Sequence, residues 1–299
     1  MKIYILLKLK KKILFIVNPI SGGFNKTFIP SLIDQNLNHQ IFDAQIMFSE
    51  YIGHAKKLAR NAVSSEYEII IAVGGDGTIN EVASEIESSG KIMGIIPCGS
   101  GNGLARTLKI SLNNAKAIAN LNHLKTTKID VGVLSDHKKF FNMAGMGFDA
   151  HISALFAGDK KRGFAGYIKS TFKEINRYKQ EEYIVSIDDV VYQKKAFMLS
   201  IANSSQYGNN AHISPSASVN DGFLDICIVK PFPLVEFPKL VYQMFSKTAD
   251  TSKYVEIIRG KSIKVERIKD GPVHLDGEPF VMGQQIGIEI KHLALELVI

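Results

Sequence analysis

The first 130 residues of the chain alternate short apolar runs with stretches in which apolar residues recur every three or four positions. A run of consecutive apolar residues is typical of a buried strand, and the longer spacing is typical of an amphipathic helix. The predicted strands span 11–19, 39–49, 67–75 and 91–99, and the predicted helices span 53–63 and 79–86, with a further, irregularly starting helix after 23. This alternation predicts a parallel sheet covered by helices.

From about residue 129 the pattern changes to short segments in which apolar and polar positions alternate between turn residues, as in an antiparallel β-sandwich or barrel-like domain. The predicted strands span 127–134, 138–147, 181–189, 190–203, 222–230, 261–268, 271–280 and 285–299. Two helical insertions are predicted near 163–179 and 234–246. We therefore predict an α/β plus β fold, with an N-terminal parallel-sheet domain over 1–128, a C-terminal antiparallel β-sandwich domain over 129–299, and an active site in the cleft between them.

Three glycine-rich clusters follow predicted strands of the first domain: NPISGG at 18–23, VGGDGT at 73–78 and PCGSGNG at 97–103. The carboxyl ends of parallel strands meet at one edge of a sheet, and ligands bind beyond that edge. Glycine has no Cβ, so the N–H groups of such loops can approach a phosphate closely, and a helix N-terminus favours its negative charge. The pattern predicts a phosphate-bearing ligand; for the 74–78 loop, a strained turn without a ligand is the alternative.

Composition and charge narrow the function classes. With 45% hydrophobic and 22% charged residues, the chain is typical of a globular protein, and no apolar run approaches the roughly 20 residues of a membrane-spanning helix. Two cysteines provide neither a disulfide framework nor a metal cluster, and the start lacks a signal-peptide cleavage site, so we expect a cytoplasmic protein. The net charge of +7 is concentrated in 1–12 and 158–180, but no zinc-finger, helix-turn-helix or RNP signature accompanies it, which argues against nucleic acid as a partner.

The common phosphate-binding motifs are absent from the sequence. There is no P-loop and no protein-kinase HRD or DFG motif, and the GMGFDA string at 145–150 lacks the second βα unit of a dinucleotide-binding fold. What remains is an ordered set: NPISG at 18–22, GHA at 53–55, GGDGT at 74–78, NE at 80–81, PCGSGNGLAR at 97–106, ND at 220–221 and HLDGE at 274–278. This set resembles the diacylglycerol kinase catalytic-domain superfamily, which includes bacterial lipid kinases and sphingosine kinases, over essentially the whole chain from Lys12.

The resemblance implies an ATP site on the glycine-rich loops, with Mg²⁺ beside it. Its predicted residues are Asn18, Pro19, Ser21, Gly22, Ser49, Gly74, Gly75, Asp76, Gly77, Thr78, Ser100 and Glu278. A polyphosphate would repel Asp76 unless a divalent cation lay between them, so this aspartate implies Mg²⁺ and is a candidate catalytic residue. A helix cap or an Asx-turn is the alternative explanation of Asp76.

The resemblance assigns roles to two further segments. Asp276 of HLDGE corresponds to the family's catalytic base, a carboxylate that accepts the proton of the acceptor hydroxyl during phosphoryl transfer. Asp-Gly is also a common hairpin signal, so a turn is the alternative explanation, and the two are compatible. The SASVNDGFLD stretch resembles a loop that binds a structural Mg²⁺ through the Asp221 carboxylate and the carbonyl oxygens of Ser218 and Phe223, with an ordinary turn as the alternative.

The resemblance predicts an ATP-dependent lipid kinase that transfers the γ-phosphate to a hydroxyl of a membrane lipid, with diacylglycerol as the preferred acceptor. Asp149 stands where sphingosine kinases place a substrate-contacting acid, so a sphingoid base or ceramide stays open as acceptor. An NAD kinase, a non-catalytic nucleotide- or lipid-binding module, and a homodimeric state also stay open. Lys169, Lys173 and Arg177 share one face of the predicted helix at 163–179. This face fits either a core-packed amphipathic helix with a solvated basic side, which is the commoner case, or peripheral contact with the inner face of the membrane.

Overall fold

The computed structural model describes residues 10–23, 26–156, 174–175 and 177–299. Its N-terminal half is built on four parallel strands in the order β2-β1-β3-β4, which correspond to the four predicted apolar runs. These strands are β1 (Lys11–Val17), β2 (Phe42–Phe48), β3 (Ile69–Gly74) and β4 (Ile92–Pro97). The prediction of a parallel sheet is confirmed.

Within the described residues, five helices cover the two faces of this sheet. They are α1 (Ile29–Asn36), α2 (His54–Val63), α3 (Asp76–Ile86), α4 (Gly103–Thr107) and α5 (Asn114–Leu121). Alternate residues of a strand point to opposite faces, so Leu14 and Ile16 of β1 share a core with α2 and α3, whereas Phe15 shares one with α1 and α5. Burial on both faces explains why β3 and β4 and most of β1 are continuous apolar runs, whereas the edge strand β2 is only partly buried and alternates.

The C-terminal half is an antiparallel sandwich, as predicted. One sheet has the order β12-β11-β10-β7-β14-β15, and the other continues the N-terminal sheet through β16-β13-β8-β9, with β5 and β6 beside β16. The strands are β5 (Thr126–Leu134), β6 (Lys139–Phe140), β7 (Met143–Gly147), β8 (Glu181–Ile187), β9 (Val190–Ala196), β10 (Met198–Ala202), β11 (Leu224–Val229), β12 (Val255–Gly260), β13 (Ser262–Arg267), β14 (Gly271–Leu275), β15 (Glu278–Met282) and β16 (Gln285–Val298). Buried side chains of both sheets, including Tyr183, Leu199 and Val265, form the core between them.

The last strand joins the two halves. The start of β16 pairs antiparallel with β13, and near its end Leu297 pairs in parallel with Met93 of β4. Its register against β5 shifts between Lys291 and Leu295. The buried carboxylate of Asp130 holds this irregularity, because it accepts the N–H groups of Leu293 and Gly222, each at 2.7 Å.

Two helices lie on the outer side of the six-stranded sheet, away from the sandwich core. Helix α6 (Phe148–Phe156) directly follows β7, and helix α7 (Phe237–Phe245) follows a 3₁₀ turn at Leu234–Glu236. Phe148 of α6 and Phe237 of α7 pack in one apolar cluster with Cys227 of β11. The insertion predicted near 234–246 is therefore confirmed, whereas most of the one predicted near 163–179 lies outside the described residues.

Several elements differ from the sequence-based expectation. The segment 190–203, predicted as one strand, forms β9 and β10 in different sheets, because the chain crosses at Phe197 without any turn residue. Strand β12 and helices α4 to α6 were not predicted, since they are short or adjoin other motifs. Among the described residues, no helix is long and apolar enough to cross a bilayer.

Candidate active site

The glycine-rich loops pack directly on one another at the carboxyl ends of β1, β3 and β4. A Cβ on Gly99 would lie only 2.6 Å from the Cα of Gly75, and a Cβ on Gly22 would overlap the Cys98 carbonyl oxygen. Gly22 also has a φ of +64°, which disfavours other residues. Part of the glycine requirement therefore comes from the contact between the loops, which gathers many backbone N–H groups at one edge.

Asp76, the first residue of α3, holds two of these loops together. Its carboxylate accepts the backbone N–H of Asn102 at 2.8 Å and that of Gly103 at 2.9 Å. Asp76 thus caps the neighbouring helix α4, and its carboxylate also bonds its own backbone N–H at the start of α3. Burial raises the pKa of Asp76 to about 6, and the nearby carboxylate of Asp276 adds to the rise.

Asp276 occupies the two-residue turn between β14 and β15. Asp276 and Gly277 both have positive φ, +50° and +89°, as a type I′ hairpin turn requires, so the predicted hairpin is confirmed. The carboxylate accepts N–H groups from Phe141 at 3.0 Å, and from Asn142 and Met143 each at 2.9 Å. The hairpin therefore presents the carboxylate to backbone donors between β6 and β7.

A fourth donor to Asp276 is a residue to which the sequence analysis gave no role. The Asn80 amide, one turn after Asp76 in α3, donates to Asp276 Oδ2 at 2.8 Å. The four donors fill the lone pairs of the carboxylate, and they oppose the burial that raises the pKa of Asp276. The NE pair at 80–81 was the available signal: Glu81 accepts the N–H groups of Gly53 and Lys56, so NE and GHA form one structural unit at the start of α2.

The other residues predicted for the nucleotide site lie around the same edge. The Asn18 amide donates to Thr78 Oγ1 at 3.0 Å, and the buried Ser49 follows β2 with its N–H bonded to the Val17 carbonyl at 2.8 Å. The Glu278 carboxylate lies beside Gly77, where a Cβ would be 2.9 Å from Oε1. The remaining members of the set occupy the adjoining loops: Pro19, Ser21 and Gly22 after β1, Gly74 and Gly75 at the end of β3, and Ser100 after β4.

A cavity of about 440 Å³ begins at this edge and extends into the C-terminal half. Its polar end is lined by Asp76, Ser100, Asp276 and Glu278. Its other end is apolar and is walled by α6, α7 and the six-stranded sheet, through side chains that include Phe148, Phe197, Val229, Leu240, Val241 and Met244. One continuous space therefore joins the carboxylates to an apolar pocket.

A buried polar cluster interrupts the apolar wall. Asp149 Oδ2 lies within hydrogen-bond distance of Ser200 Oγ at 3.1 Å, Tyr207 Oη at 3.3 Å and His274 Nε2 at 3.1 Å. The Ser200 and Tyr207 hydroxyls also bond each other, so one of them donates to the other and not to the carboxylate. The absence of a side chain at Gly145 makes room for this group, because a Cβ there would overlap the Asp149 carboxylate. Asp149 is thus already supplied with donors from its own chain.

Asp76 is the residue best suited to contact a divalent cation. Each of its oxygens accepts one of the two loop N–H groups, which leaves lone pairs free, and two further carboxylates line the same end of the cavity. Mg²⁺ is commonly bound by one or two carboxylates together with substrate phosphates, so these residues fit it. Within the described part of the chain, no group of three or more histidine, cysteine or acidic side chains could hold a metal ion unaided.

The loop predicted to bind a structural metal lies apart from the cavity. Asp221 accepts the N–H of Phe223 at 3.1 Å and forms an ion pair with Arg259. The Arg259 guanidinium also donates to Asp225 at 3.1 Å and lies 4.8 Å from the ring centroid of Phe223, while Ser218 Oγ bonds Asn220. A guanidinium thus neutralises this carboxylate, and metal binding here stays a prediction.

Two protein-family models match most of the length of the chain. The family model of the diacylglycerol kinase catalytic domain matches residues 12–134, and that of the YegS C-terminal NAD kinase beta sandwich-like domain matches residues 142–297. A diacylglycerol kinase of Staphylococcus epidermidis (strain ATCC 35984) is 28% identical over 279 residues, which cover 90% of this chain and 86% of that protein.

Solved structures share the fold. A candidate diacylglycerol kinase from Bacillus anthracis str. Sterne superposes with a TM-score of 0.78 at 24% identity, over 96% of both chains. An NAD kinase from Archaeoglobus fulgidus in complex with ATP superposes with a TM-score of 0.53 at 12% identity, over 96% of this chain and 93% of that one. Since the model of the C-terminal domain alone matches more than half of the chain and the catalytic-domain model precedes it, the chain belongs to the diacylglycerol kinase catalytic-domain family and is a lipid kinase that uses ATP.

Proposed function

We propose that this protein is an ATP- and Mg²⁺-dependent diacylglycerol kinase that acts on the inner face of the cytoplasmic membrane. The observation that carries the proposal is the single cavity that runs from Asp76 and Asp276 to an apolar pocket. An acceptor with a hydroxyl at one end and acyl chains at the other matches that gradient of polarity. NAD, which is polar throughout, matches it poorly.

Asp276 acts as the general base in this proposal. Its raised pKa brings its basicity closer to neutral pH, which favours proton transfer from an alcohol. Since four donors fill its lone pairs, the acceptor hydroxyl needs one of their places. Three donors are backbone groups fixed between β6 and β7, so the Asn80 side chain is the one that can move aside and let the hydroxyl bond Oδ2.

Asp76 and Glu278 serve the nucleotide end. Asp76 orders the loops whose N–H groups would bind phosphate, and its free lone pairs face the cavity. Bound Mg²⁺ would supply positive charge that offsets repulsion between the phosphates and these carboxylates. The Glu278 carboxylate, beside Gly77, would contact the same region.

The Asp149 cluster favours diacylglycerol over a sphingoid base. A protonated amine pairs best with a carboxylate that lacks other donors, whereas Asp149 Oδ2 already has three polar side chains of its own chain within hydrogen-bond distance. A neutral ester or hydroxyl group of the acceptor does not need a carboxylate as its partner, so it can lie near this cluster without disturbing its hydrogen bonds. The observation therefore supports a neutral lipid as acceptor.

The test is transfer of labelled phosphate from ATP to a panel of diacylglycerol, monoacylglycerol, ceramide, sphingoid base, phosphatidylglycerol and NAD. We expect Mg²⁺-dependent labelling of diacylglycerol above the other acceptors. A preference for a sphingoid base would reassign Asp149, and phosphorylation of NAD in place of a lipid would refute the proposal.

A further inference from the structure

Helix α7 is apolar on the side that faces the protein. Phe237, Leu240, Val241, Met244 and Phe245 recur at the spacing of one helix face, and all of them line the cavity. This face forms part of the wall of the acceptor pocket. Helix α7 therefore separates the acceptor pocket from the exterior of the protein.

The opposite side of α7 and the 3₁₀ turn before it are also apolar. Val235 is 84% exposed, Tyr242 is 70% exposed and Leu234 is 48% exposed, and Pro238 between them is partly exposed as well. None of these four residues lines the cavity. Lys239 and Gln243 are the polar residues of this helix, so its exposed side carries apolar side chains beside a lysine rather than the fully polar face usual for a surface helix.

The charged residues on this helix and in the segments that flank it have a small positive excess. Lys239, Lys247 and Lys253 are exposed, against the exposed Asp250 and the half-buried Glu236. Exposed lysines beside a tyrosine and aliphatic side chains match the boundary between the head groups and acyl chains of an anionic bilayer. Four apolar residues are far fewer than the roughly 20–30 residues per side of a stable protein interface, which argues against a second copy of the chain as the occupant.

We propose that the outer face of α7, defined as Leu234, Val235, Pro238 and Tyr242, inserts into the surface of an anionic lipid bilayer. The inner face of the same helix would then bring the apolar pocket next to the acyl chains. A lipid could enter the cavity past one helix, without crossing water, and reach the carboxylates at the polar end. The inference rests on the proposed function in that the acceptor is a membrane lipid.

The test compares two double variants of the full chain. Val235→Glu/Tyr242→Glu places two negative charges on the outer face of α7. Val190→Glu/Val191→Glu places two on exposed positions of the edge strand β9, where the side chains are 53% and 65% exposed. Binding is measured by co-sedimentation with vesicles of phosphatidylcholine and phosphatidylglycerol, and oligomeric state by light scattering.

We expect wild type and the β9 variant to bind the vesicles alike, and the α7 variant to bind at least about tenfold more weakly. Activity on a short-chain diacylglycerol dispersed in detergent should be similar in all three, which also reports that they are folded. Vesicle binding that is equal in both variants, or undetectable in wild type, would overturn the proposal. A change of oligomeric state in the α7 variant with unchanged vesicle binding would assign this face to a contact between copies.

This design separates the inference from the proposed function. If no lipid is phosphorylated in detergent by wild type, the proposed function fails, whereas vesicle binding by α7 is measured without turnover.

Discussion

The polar end of the cavity is held by hydrogen bonds between defined atoms, whereas the apolar end is held by the packing of side chains. The Asp76 and Asp276 carboxylates accept N–H groups from loops far away in the sequence, at 2.8 to 3.0 Å. The opposite wall consists of aromatic and aliphatic contacts, such as the Phe148 and Phe197 rings with centroids 4.5 Å apart. Turnover should therefore be most sensitive to replacement of single atoms at the polar end, and to changes of side-chain volume at the apolar end.

Asp276→Asn should have the largest effect. The amide keeps the shape of the carboxylate but cannot accept the hydroxyl proton, and its NH₂ group cannot accept the two N–H groups that face one of the oxygens. We expect kcat to fall by roughly 10²–10⁴, and retained ATP binding would show that the protein is still folded. Steady-state turnover of dispersed diacylglycerol measures the first quantity, and nucleotide-dependent thermal stabilisation measures the second.

The chain offers a matched control for this variant. Asp188 and Asp189 form another two-residue turn with positive φ, +44° and +72°, between β8 and β9 and away from the cavity. Asn tolerates this conformation, so Asp189→Asn should keep wild-type kcat. If Asp276→Asn also kept it, Asp276 would serve only the turn.

Asp76→Asn should change how stability depends on pH. The unfolded carboxyl titrates near 3.8 and the folded one near 6, so ionisation opposes folding. The free energy of unfolding of the wild type should therefore decrease as pH rises from about 4 to 6, because Asp76 ionises more easily in the unfolded chain. The variant has no ionisable group at this position and should lack this decrease. The difference between the two proteins should shift by up to about 3 kcal/mol over this range, because one pKa unit corresponds to 1.36 kcal/mol.

Urea denaturation without nucleotide, at intervals between pH 4 and pH 7, measures this difference. Asp34→Asn on the exposed surface of α1 is the control and should leave the pH dependence unchanged. Parallel curves for Asp76→Asn and wild type would show that the folded carboxyl titrates near its usual pKa. When Mg²⁺ and ATP are added to these samples, wild type should become more stable and Asp76→Asn should not.

At the apolar end, Val241→Phe should narrow the pocket from the inner face of α7. We expect KM for long-chain diacylglycerol to rise by about tenfold or more while KM for ATP stays unchanged, since a few methylene-sized contacts decide such preferences. Val191→Phe, on the exposed edge strand β9, is the control of equal added volume. An equal rise in KM for short-chain and long-chain diacylglycerol would mean that the pocket does not hold the acyl chains.

The two ends of the cavity also differed in how far the sequence could predict them. The glycine loops and the Asp276 turn are contiguous motifs whose backbone requirements are visible in the residues themselves. The apolar wall comes from α6, α7 and β10, which lie far apart in the chain and carry ordinary core residues, so no local pattern marks it. The NE pair at 80–81 belongs to the motif set, but an amide inside a helix does not indicate its partner, and only the fold reveals the contact of Asn80 with Asp276.

Asn80→Ala should have a smaller and more specific effect than Asp276→Asn. Loss of one donor removes a bond that favours the ionised carboxylate, so the pKa of Asp276 should rise further. The acid limb of the kcat/KM profile, which reports the free enzyme in which Asn80 bonds Asp276, should move to higher pH, with kcat at the optimum changed by about tenfold or less. Asn61→Ala, the same substitution at an exposed position of the neighbouring helix α2, is the control. A uniform loss of activity at every pH would indicate a purely structural role for Asn80.

Arg259→Gln should have the smallest effect on turnover, and it decides what stabilises the 218–223 loop. The guanidinium bridges the partly exposed Asp221 and the buried Asp225, so we expect a loss of about 1–3 kcal/mol in the free energy of unfolding. Without this guanidinium the two carboxylates have no cation between them, and Mg²⁺ should then stabilise the variant more than it stabilises wild type. Thermal unfolding with and without Mg²⁺, in the absence of nucleotide, measures this; Lys264→Gln, at an exposed position on β13, is the control. The opposite result would be a strong stabilisation of wild type by Mg²⁺ that Asp221→Asn abolishes. It would mean that the loop binds the metal predicted from the sequence and that the metal displaces Arg259 from Asp221.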